Sequence, residues 1–288
     1  MATNTEAPRV ILAPNPSALT GPGTNTFLLG RNHVAVIDPG PDIGSHVDAI
    51  IAAGAGRISH IFLTHPHLDH SGAVPMLKRA TRAPVYAFGD ALAGRSPVMS
   101  RLAAAGVTGG GEGLDMTFRP DLILTDGATI ETPEWTLEAL HTPGHSAAHL
   151  SFRHGDTIFC GDLAMGWSTT LISPPDGDLG DFFRSIARLG QLAPARLLPA
   201  HGDPIDAPAG RLAALASHRK QRTAQIVGAL REGPATPNAL ARRIYNDIPP
   251  TMLPAAARNV FAHLIALAEI GVVTTPGPLG AEGSFVLA

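Results

Sequence analysis

The chain has 288 residues, is 44% hydrophobic with a mean hydropathy of +0.13, and carries 21 Lys and Arg against 24 Asp and Glu, a net charge of −3. That length suits one large α/β domain plus a smaller appendage, and the near-neutral balance excludes a strongly cationic nucleic-acid binder. With Cys160 as the single cysteine, internal disulfides and zinc sites needing two or four cysteines are excluded, so any metal must be held by the thirteen histidines and the carboxylates.

The N-terminus, MATNTEAPRV, lacks the basic start and apolar core of a secretory signal, and no later stretch is read as apolar over the ~18 residues of a membrane span. The expectation is a cytoplasmic protein with no membrane partner. Charge is unevenly spread: residues 1–210 hold 13 basic against 20 acidic side chains (−7), and residues 211–288 hold 8 against 4 (+4).

Apolar runs closed by turn residues predict strands at 24–30, 33–40, 58–65, 83–88, 136–140 and 195–202. A hairpin is expected from 150–152 and 157–160 around His154-Gly155-Asp156. Helical spacing predicts helices near 43–53, 70–80 and 178–191, the last with Leu179, Phe182, Phe183, Ile186 and Leu189 on one face. Strands alternating with helices imply sheets covered by helices. The Gly-rich segment 105–120 is expected to be a mobile loop near the mouth of any site.

Beyond residue 206 the texture becomes helical: 211–230, a helix opened by Thr236 as N-cap and Pro237 at its first position, and 254–270. Two short strands around a Gly/Pro turn finish the chain, and three helices with a hairpin is the order of a winged helix. The expected division is 1–206 and 207–288.

The chemistry concentrates in FLTHPHLDHSG, 62–72. A strand delivers His65 and His67, two apart and so on one face, able to grip one ion, while Asp69 and His70 turn into the next helix and point at a neighbouring position. Four such residues cannot complete two metal shells, so further ligands are expected at later strand ends. His145 in HTPGH, Asp162 in IFCGD and His201 in LLPAHGD each follow an apolar run within a Gly-containing turn.

This set, H-x-H-x-D-H, then TPGH, GD and PAHG, resembles the metallo-β-lactamase superfamily over about 25–204. The resemblance implies an α+β fold, an αββα sandwich with a two-metal site between its sheets. It assigns His65, His67 and His145 to one ion and Asp69, His70 and His201 to the other, with Asp162 bridging, and Asp38 in VIDPG as the acid that orients a ligand histidine. The segments HRKQRTAQIVGAL, GWSTT and IYNDIPPTMLPAAARNVFAHLIALAEIGVV are similar to the lactamase-beta-two-like branch, which carries a C-terminal winged helix. The remaining histidines, 33, 46, 60, 141, 149, 154, 218 and 263, are read as structural or surface residues, and Cys160 as a buried strand residue beside the site.

Two divalent ions sharing a hydroxide support hydrolysis, with Asp69 and Asp162 as the catalytic carboxylates that orient it. Nitrogen and carboxylate donors suit Zn²⁺, with Mn²⁺ or Fe²⁺ able to occupy the same shell. The intact His67 and Asp162 argue against flavodiiron and lactam-cleaving relatives, and the roughly 40 residues between Asp162 and His201 leave no room for an RNA-processing clamp domain. The branch points first to single-stranded RNA, guided by Arg219, Lys220, Arg222, Arg242 and Arg243. Thioester or lactone hydrolysis is the alternative, and a non-enzymatic winged-helix regulator of nucleic acid is the second. The winged helix's last helix has only Arg258 as a basic residue, so packing against the main domain or shaping the substrate cleft is favoured over reading a groove.

Overall fold

The computed structural model describes residues 7–288; residues 1–6, part of the N-terminal segment read above for a targeting signal, lie outside it. The first sheet holds β1 (Arg9–Leu12), β2 (Asn25–Leu29), β3 (Val34–Ile37), β4 (Ile58–Phe62), β5 (Val85–Ala87) and β6 (Leu122–Ile123), in that spatial order. Its first three strands pair antiparallel and the rest parallel. The second sheet holds β7 (Thr129–Glu131), β8 (Thr136–His141), β9 (Leu150–His154), β10 (Thr157–Gly161) and β11 (Arg196–Pro199), ordered β11-β10-β9-β8-β7. Only β10 and β11 pair parallel there.

Parallel neighbours need crossovers, and these supply the outer layers. Helix α1 (Gly44–Gly54) links β3 to β4; α2 (Leu68–Ser71) and α3 (Val74–Thr81) link β4 to β5. α4 (Pro97–Ala104) precedes the Gly-rich loop, and α5 (Leu179–Leu192) links β10 to β11. Period-two alternation then sorts the side chains. In β2 and β3, Phe27, Leu29, Ala35 and Ile37 point to the second sheet, while Leu28, Val34 and Val36 meet α1 and α3 through Val47, Ile50 and Leu77. Between the sheets Phe27 meets Phe159 edge-on at 5.1 Å and Phe62 meets Phe152 at 5.3 Å. On the far face of the second sheet, Leu140, Ile158 and Leu197 pack under Phe182, Ile186 and Leu189 of α5. The result is the αββα sandwich.

The C-terminal unit consists of α6 (Pro208–Leu230), α7 (Pro237–Ile244), α8 (Leu253–Glu269) and a short antiparallel wing, β12 (Val273–Thr274) with β13 (Val286–Leu287). Thr236 caps α7, its side chain accepting the Ala239 N–H at 3.2 Å, with Pro237 following. α6 belongs to two cores. Its Leu212 and Leu215 lie with α5, whereas Ile226 and Leu230 pack with Leu240, Val260, Phe261 and Leu264. The sandwich returns the exchange by sending Val98, Met99 and Leu102 of α4 into that second core.

Two expectations are corrected. The helix predicted at 70–80 is interrupted between α2 and α3, where the Ala73 N–H leaves the helical ladder to donate to the Gly40 carbonyl at 2.9 Å; the segment 40–42 can come this close because a Cβ at residue 72 would lie 2.7 Å from the Asp42 nitrogen. The stretch Pro250–Glu269 is long and apolar enough to cross a membrane by length and composition, contrary to the reading above; in the fold, Val260, Phe261, Leu264 and Ile265 are buried in the C-terminal core.

His263, fully buried on α8, bonds Thr223 of α6 through Nδ1 at 2.9 Å, and its Nε2 has no partner. Burial, reinforced by the nearby Arg219 charge, pushes its pKa down to about 3. The folded state therefore binds fewer protons than the unfolded state, so stability is flat above the unfolded value near 6.5 and falls as pH drops toward about 3. By pH 5 the loss attributable to this group is about 2 kcal/mol. Urea unfolding of wild type and His263→Gln at pH 7 and pH 5 checks it: the wild type should lose about that much more than the variant.

Candidate metal centre

Every ligand candidate lies just beyond the C-terminal end of a strand. β4 runs on through Leu63 and Thr64 into His65 and His67, and Asp69 and His70 occupy α2. His145 follows β8, Asp162 follows β10 and His201 follows β11. The two sheets thus bring all seven to one place, and all seven are buried. The TPGH turn can lie against α5 only because residue 144 lacks a side chain, since a Cβ there would stand 2.5 Å from the Phe182 Cα.

The donor atoms converge in two groups. His65 Nε2 and His145 Nε2 each lie 3.0 Å from His67 Nδ1. Nitrogens sharing one tetrahedral ion at about 2.0–2.1 Å would be separated by about 3.3 Å, so this spacing is close to that of a ligand set. In the second group, His201 Nε2 is 3.2 Å and His70 Nε2 3.4 Å from Asp69 Oδ2. Asp162 stands between: Oδ1 faces His201 Nε2 (3.3 Å) and His70 Nε2 (3.6 Å), while Oδ2 faces His145 Nε2 (3.6 Å). His70 Nε2 and Asp162 Oδ1 are buried without a hydrogen-bond partner, which makes them available to a cation. These residues fit two divalent ions, three nitrogens on one side, two nitrogens and a carboxylate on the other, with Asp162 able to reach both.

The nitrogens facing away are anchored. His70 Nδ1 donates to Asp38 Oδ2 at 3.0 Å, His145 Nδ1 to the Leu171 carbonyl at 2.7 Å and His201 Nδ1 to the Gly23 carbonyl at 3.2 Å. His65 Nδ1 donates to Thr64 Oγ1 at 3.0 Å, and that hydroxyl donates to Asp38 Oδ2 at 2.8 Å. Asp38 therefore steers one histidine of each group, directly for His70 and through Thr64 for His65. Its backbone takes a positive φ of 51°, and Oδ1 is fixed by the Thr64 N–H at 2.8 Å. His67 is the exception, its Nε2 having no partner.

Burial and the neighbouring imidazoles hold His65 well below its ordinary pKa and bring His67 down to about 3, so both offer free lone pairs. Burial opposes the charged form of His70 and His201 too, yet Asp69, Asp162 and Asp38 push His70 well up, and Asp162 and Asp69 raise His201 to about 10. Reciprocally, and against the effect of burial, these imidazoles hold Asp69 and Asp162 well below the usual carboxylate range. The same carboxylates that favour positive charge on these two imidazoles would favour a divalent cation between them.

Above the donors opens a cavity of about 210 Å³. Leu19, Met165 and Leu171 of the sandwich face Tyr245, Ile248 and Met252 of the C-terminal unit across it, and among the described residues no arginine or lysine lines it. The Gly-rich loop, expected near the mouth of any site, lines this cavity through Gly111 and Glu112, and the GWSTT segment lines it through Ser168 and Thr169. Trp167, 47% exposed at the rim, donates from its indole to the His201 carbonyl at 3.3 Å and lies flush against Gly202, where a Cβ would meet its ring at 2.5 Å.

Three residues went unread in the sequence. Thr64 gave no signal beyond a hydroxyl preceding a ligand. His149, taken as ordinary, is fully buried beneath the site, accepting the Asp162 N–H on Nε2 at 3.2 Å with Nδ1 on Thr142 Oγ1 at 3.0 Å. Arg219, expected to guide a nucleic-acid strand, is 1% exposed and cannot do so. Arg222 packs its guanidinium over the Tyr245 ring at 4.1 Å, and Cys160 is buried with its Sγ on the Ala164 carbonyl at 3.3 Å.

Because Asp38 orients both groups, Asp38→Ala should weaken metal binding by about 10–100-fold at both positions, the range seen when partners of ligand histidines are removed. Titration against a competing chelator checks it; a loss confined to one ion would show that the Thr64 relay to His65 is idle.

Residues 19–201 match the metallo-beta-lactamase superfamily and residues 236–277 the beta-lactamase associated winged helix domain. A "Beta-lactamase-like protein 2 homolog" of Drosophila melanogaster is 30% identical over 275 residues, 91% of this chain and 87% of that protein. An "Atrochrysone carboxyl ACP thioesterase" of Aspergillus chevalieri is 28% identical over 233 residues, 78% of this chain and 67% of that protein. Among solved structures, a metallo-beta-lactamase family protein of Thermus thermophilus superposes with a TM-score of 0.78 at 23% identity, covering 98% of both chains. The protein TTHA1623 in a di-iron-bound form gives 0.52 at 27% identity over 74% of this chain and 97% of that one. Five imidazoles and two carboxylates converging at the strand ends of an αββα sandwich agree with these matches, and the chain belongs to the metallo-beta-lactamase superfamily, in the form that carries a C-terminal winged helix.

Proposed function

We propose that this protein is a binuclear metal-dependent hydrolase of acyl thioesters with an apolar acyl group. The observation that carries the reading is the cavity over the donor cluster: Leu19, Met165, Leu171, Tyr245, Ile248, Pro249 and Met252 line it from both domains beside the uncharged Ser168, Thr169 and Asn259 and the acidic Glu112, and among the described residues no arginine or lysine lines it. A phosphodiester brings at least one negative charge per linkage and is held by Arg or Lys where proteins bind single strands. An acyl chain asks instead for apolar surface, worth ~25 cal/mol per Å² removed from water. The burial of Arg219 and the stacking of Arg222 on Tyr245 take two of the five basic side chains away from a strand-guiding role. The relative named as an acyl-carrier-protein thioesterase supports the same class of substrate.

His65, His67 and His145 would hold one ion and Asp69, His70 and His201 the other, with Asp162 reaching both; when bound, the pair supplies Lewis acidity toward the thioester carbonyl and lowers the pKa of water. The donor set suits Zn²⁺, and the di-iron form of TTHA1623 makes iron the alternative. Leu171, Ile248 and Met252 bind the acyl group and exclude water around it. Asp69 and Asp162, both ionised, accept hydrogen bonds from the attacking water and aim its lone pair at the carbonyl carbon. Oxygen of water adds to the carbonyl carbon, the C–S bond breaks with its electron pair going to sulfur, and of the two water protons one ends on the departed sulfur and the other is released to solvent, leaving a carboxylate and a thiol. The sulfur leaves as a thiolate, whose conjugate acid has a pKa of about 8.5, so no general acid is required at the leaving group.

Turnover of acyl thioesters of increasing chain length, set beside cleavage of labelled single-stranded RNA before and after chelation, tests the proposal. Metal-dependent kcat/KM should rise with acyl length until the cavity is full, with RNA left intact; metal-dependent RNA cleavage without thioester turnover would replace the thioester by the phosphodiester. Asp69→Ala and His145→Ala should each lower metal content below that of the wild type and abolish turnover, measured by elemental analysis alongside the assay. Full activity at undiminished metal content would overturn the ligand assignment.

A further inference from the structure

Two anchors of the donor cluster lie in a segment, 168–172, that is neither helix nor strand: the Leu171 carbonyl under His145 and the Thr170 hydroxyl under the Asp162 backbone. Thr170 Oγ1 donates to the carbonyls of Asp162 and Leu163, at 2.8 and 2.9 Å. What holds this segment comes from the other domain. Asn259 of α8 accepts two hydrogens on one Oδ1, from the Ile172 N–H at 3.0 Å and from Arg219 Nη1 at 2.9 Å. Arg219 of α6 donates through Nη2 to the Thr170 carbonyl. Consecutive residues Thr170, Leu171 and Ile172 are thus gripped from the C-terminal side through the first and third, while the second anchors a ligand.

Packing alone does not account for Arg219. Its guanidinium is buried with no carboxylate within ion-pair reach among the described residues, and its neighbours are one carbonyl, one amide and the Phe182 ring 5.7 Å away. A buried cation without a counter-ion is costly, and an apolar side chain of similar length would fill the space more stably. The position needs donors that reach a main-chain carbonyl and an amide at the same time, which the planar fork of arginine provides and lysine does not.

We propose that Arg219 and Asn259 are positioning residues through which the C-terminal domain sets the metal centre: they fix the backbone of 170–172, and with it the imidazole of His145 and the loop carrying Asp162. The winged helix is then a structural part of the metal site as well as a wall of the cavity.

The inference rests on the metal-binding reading of the cluster, and its test is metal affinity in the full chain rather than turnover. Zn²⁺ titrations against a chromophoric chelator and visible spectra of the Co²⁺-loaded protein are compared for wild type, Asn259→Leu, Asn259→Asp and Arg219→Met. Asn259→Leu and Arg219→Met should weaken one of the two ions by about 10-fold, the low end for groups acting behind a ligand, and shift the Co²⁺ bands. Asn259→Asp keeps the acceptor and should retain wild-type affinity and spectrum. A folded Asn259→Leu with both unchanged overturns the inference, as does Asn259→Asp failing to the same extent as Asn259→Leu. Should Arg219→Met not fold, the Asn259 pair decides alone. Wild-type protein that takes up no ion overturns the metal reading together with this one, whereas wild-type uptake with unaffected variants overturns this one only.

Discussion

Holding imidazole nitrogens and carboxylate oxygens against one another, out of water, is the constraint around which this molecule is built. Left to themselves, buried polar atoms at 3.0 to 3.6 Å would rotate toward water or toward each other's protons. They are prevented because the outer nitrogens of His65, His70, His145 and His201 are committed elsewhere, to Thr64, Asp38, Leu171 and Gly23. Only the inner atoms remain free, and they have a single direction in which to point.

That arrangement draws on the whole chain. Asp38 comes from the end of β3, three of the anchored ligands from the ends of β4, β8 and β11, and the Leu171 carbonyl from a segment held by α6 and α8. Tyr245, directly after α7, and Met252, directly before α8, close the cavity over the donors from the same C-terminal side. The donor cluster at the strand ends and the cavity at the domain boundary therefore depend on one set of contacts, since neither the C-terminal wall of the cavity nor the grip on 170–172 exists in the sandwich alone.

The ligands were legible in the sequence because three independent signals coincided: an apolar run, a small-residue turn after it, and a His or Asp within that turn. Sheets covered by helices were legible from the alternation of strands and helices, and the αββα order from the family resemblance of the motifs. Burial was not. Arg219 counts as a positive charge in a composition, and only the packing of α6 against Phe182 turns it from a surface cation into an interior hydrogen-bond donor. His149 looks like any other histidine until β9 carries it beneath Asp162. The cavity was hidden for the same reason: the residues lining it are scattered from Ala18 to Asn259, and its apolar side, with Leu19, Met165, Leu171, Ile248 and Met252, forms only once the two domains share a wall. α4, β1, β6 and β7 are eight residues or fewer, too short for a periodic signal to separate from noise.

α6 also decides how a substrate can arrive. A continuous helix of 23 residues is a rod of about 35 Å, and its two halves are embedded in different cores. Swinging one domain away from the other would have to bend that rod or strip Leu212 and Leu215, or Ile226 and Leu230, from their packing. Hinged opening of the cleft is therefore the expensive route, and entry falls to the rim, where the Gly-rich loop is tied to the loop before β2 by the exposed Ser17–Glu112 hydrogen bond of 2.8 Å. That rim is itself joined to the donor cluster, for the loop's Gly113 carbonyl accepts the Leu68 N–H at 2.9 Å and its Asp115 accepts the Ser71 hydroxyl at 3.0 Å, so a shift of the loop would reach the segment that carries His67 and Asp69.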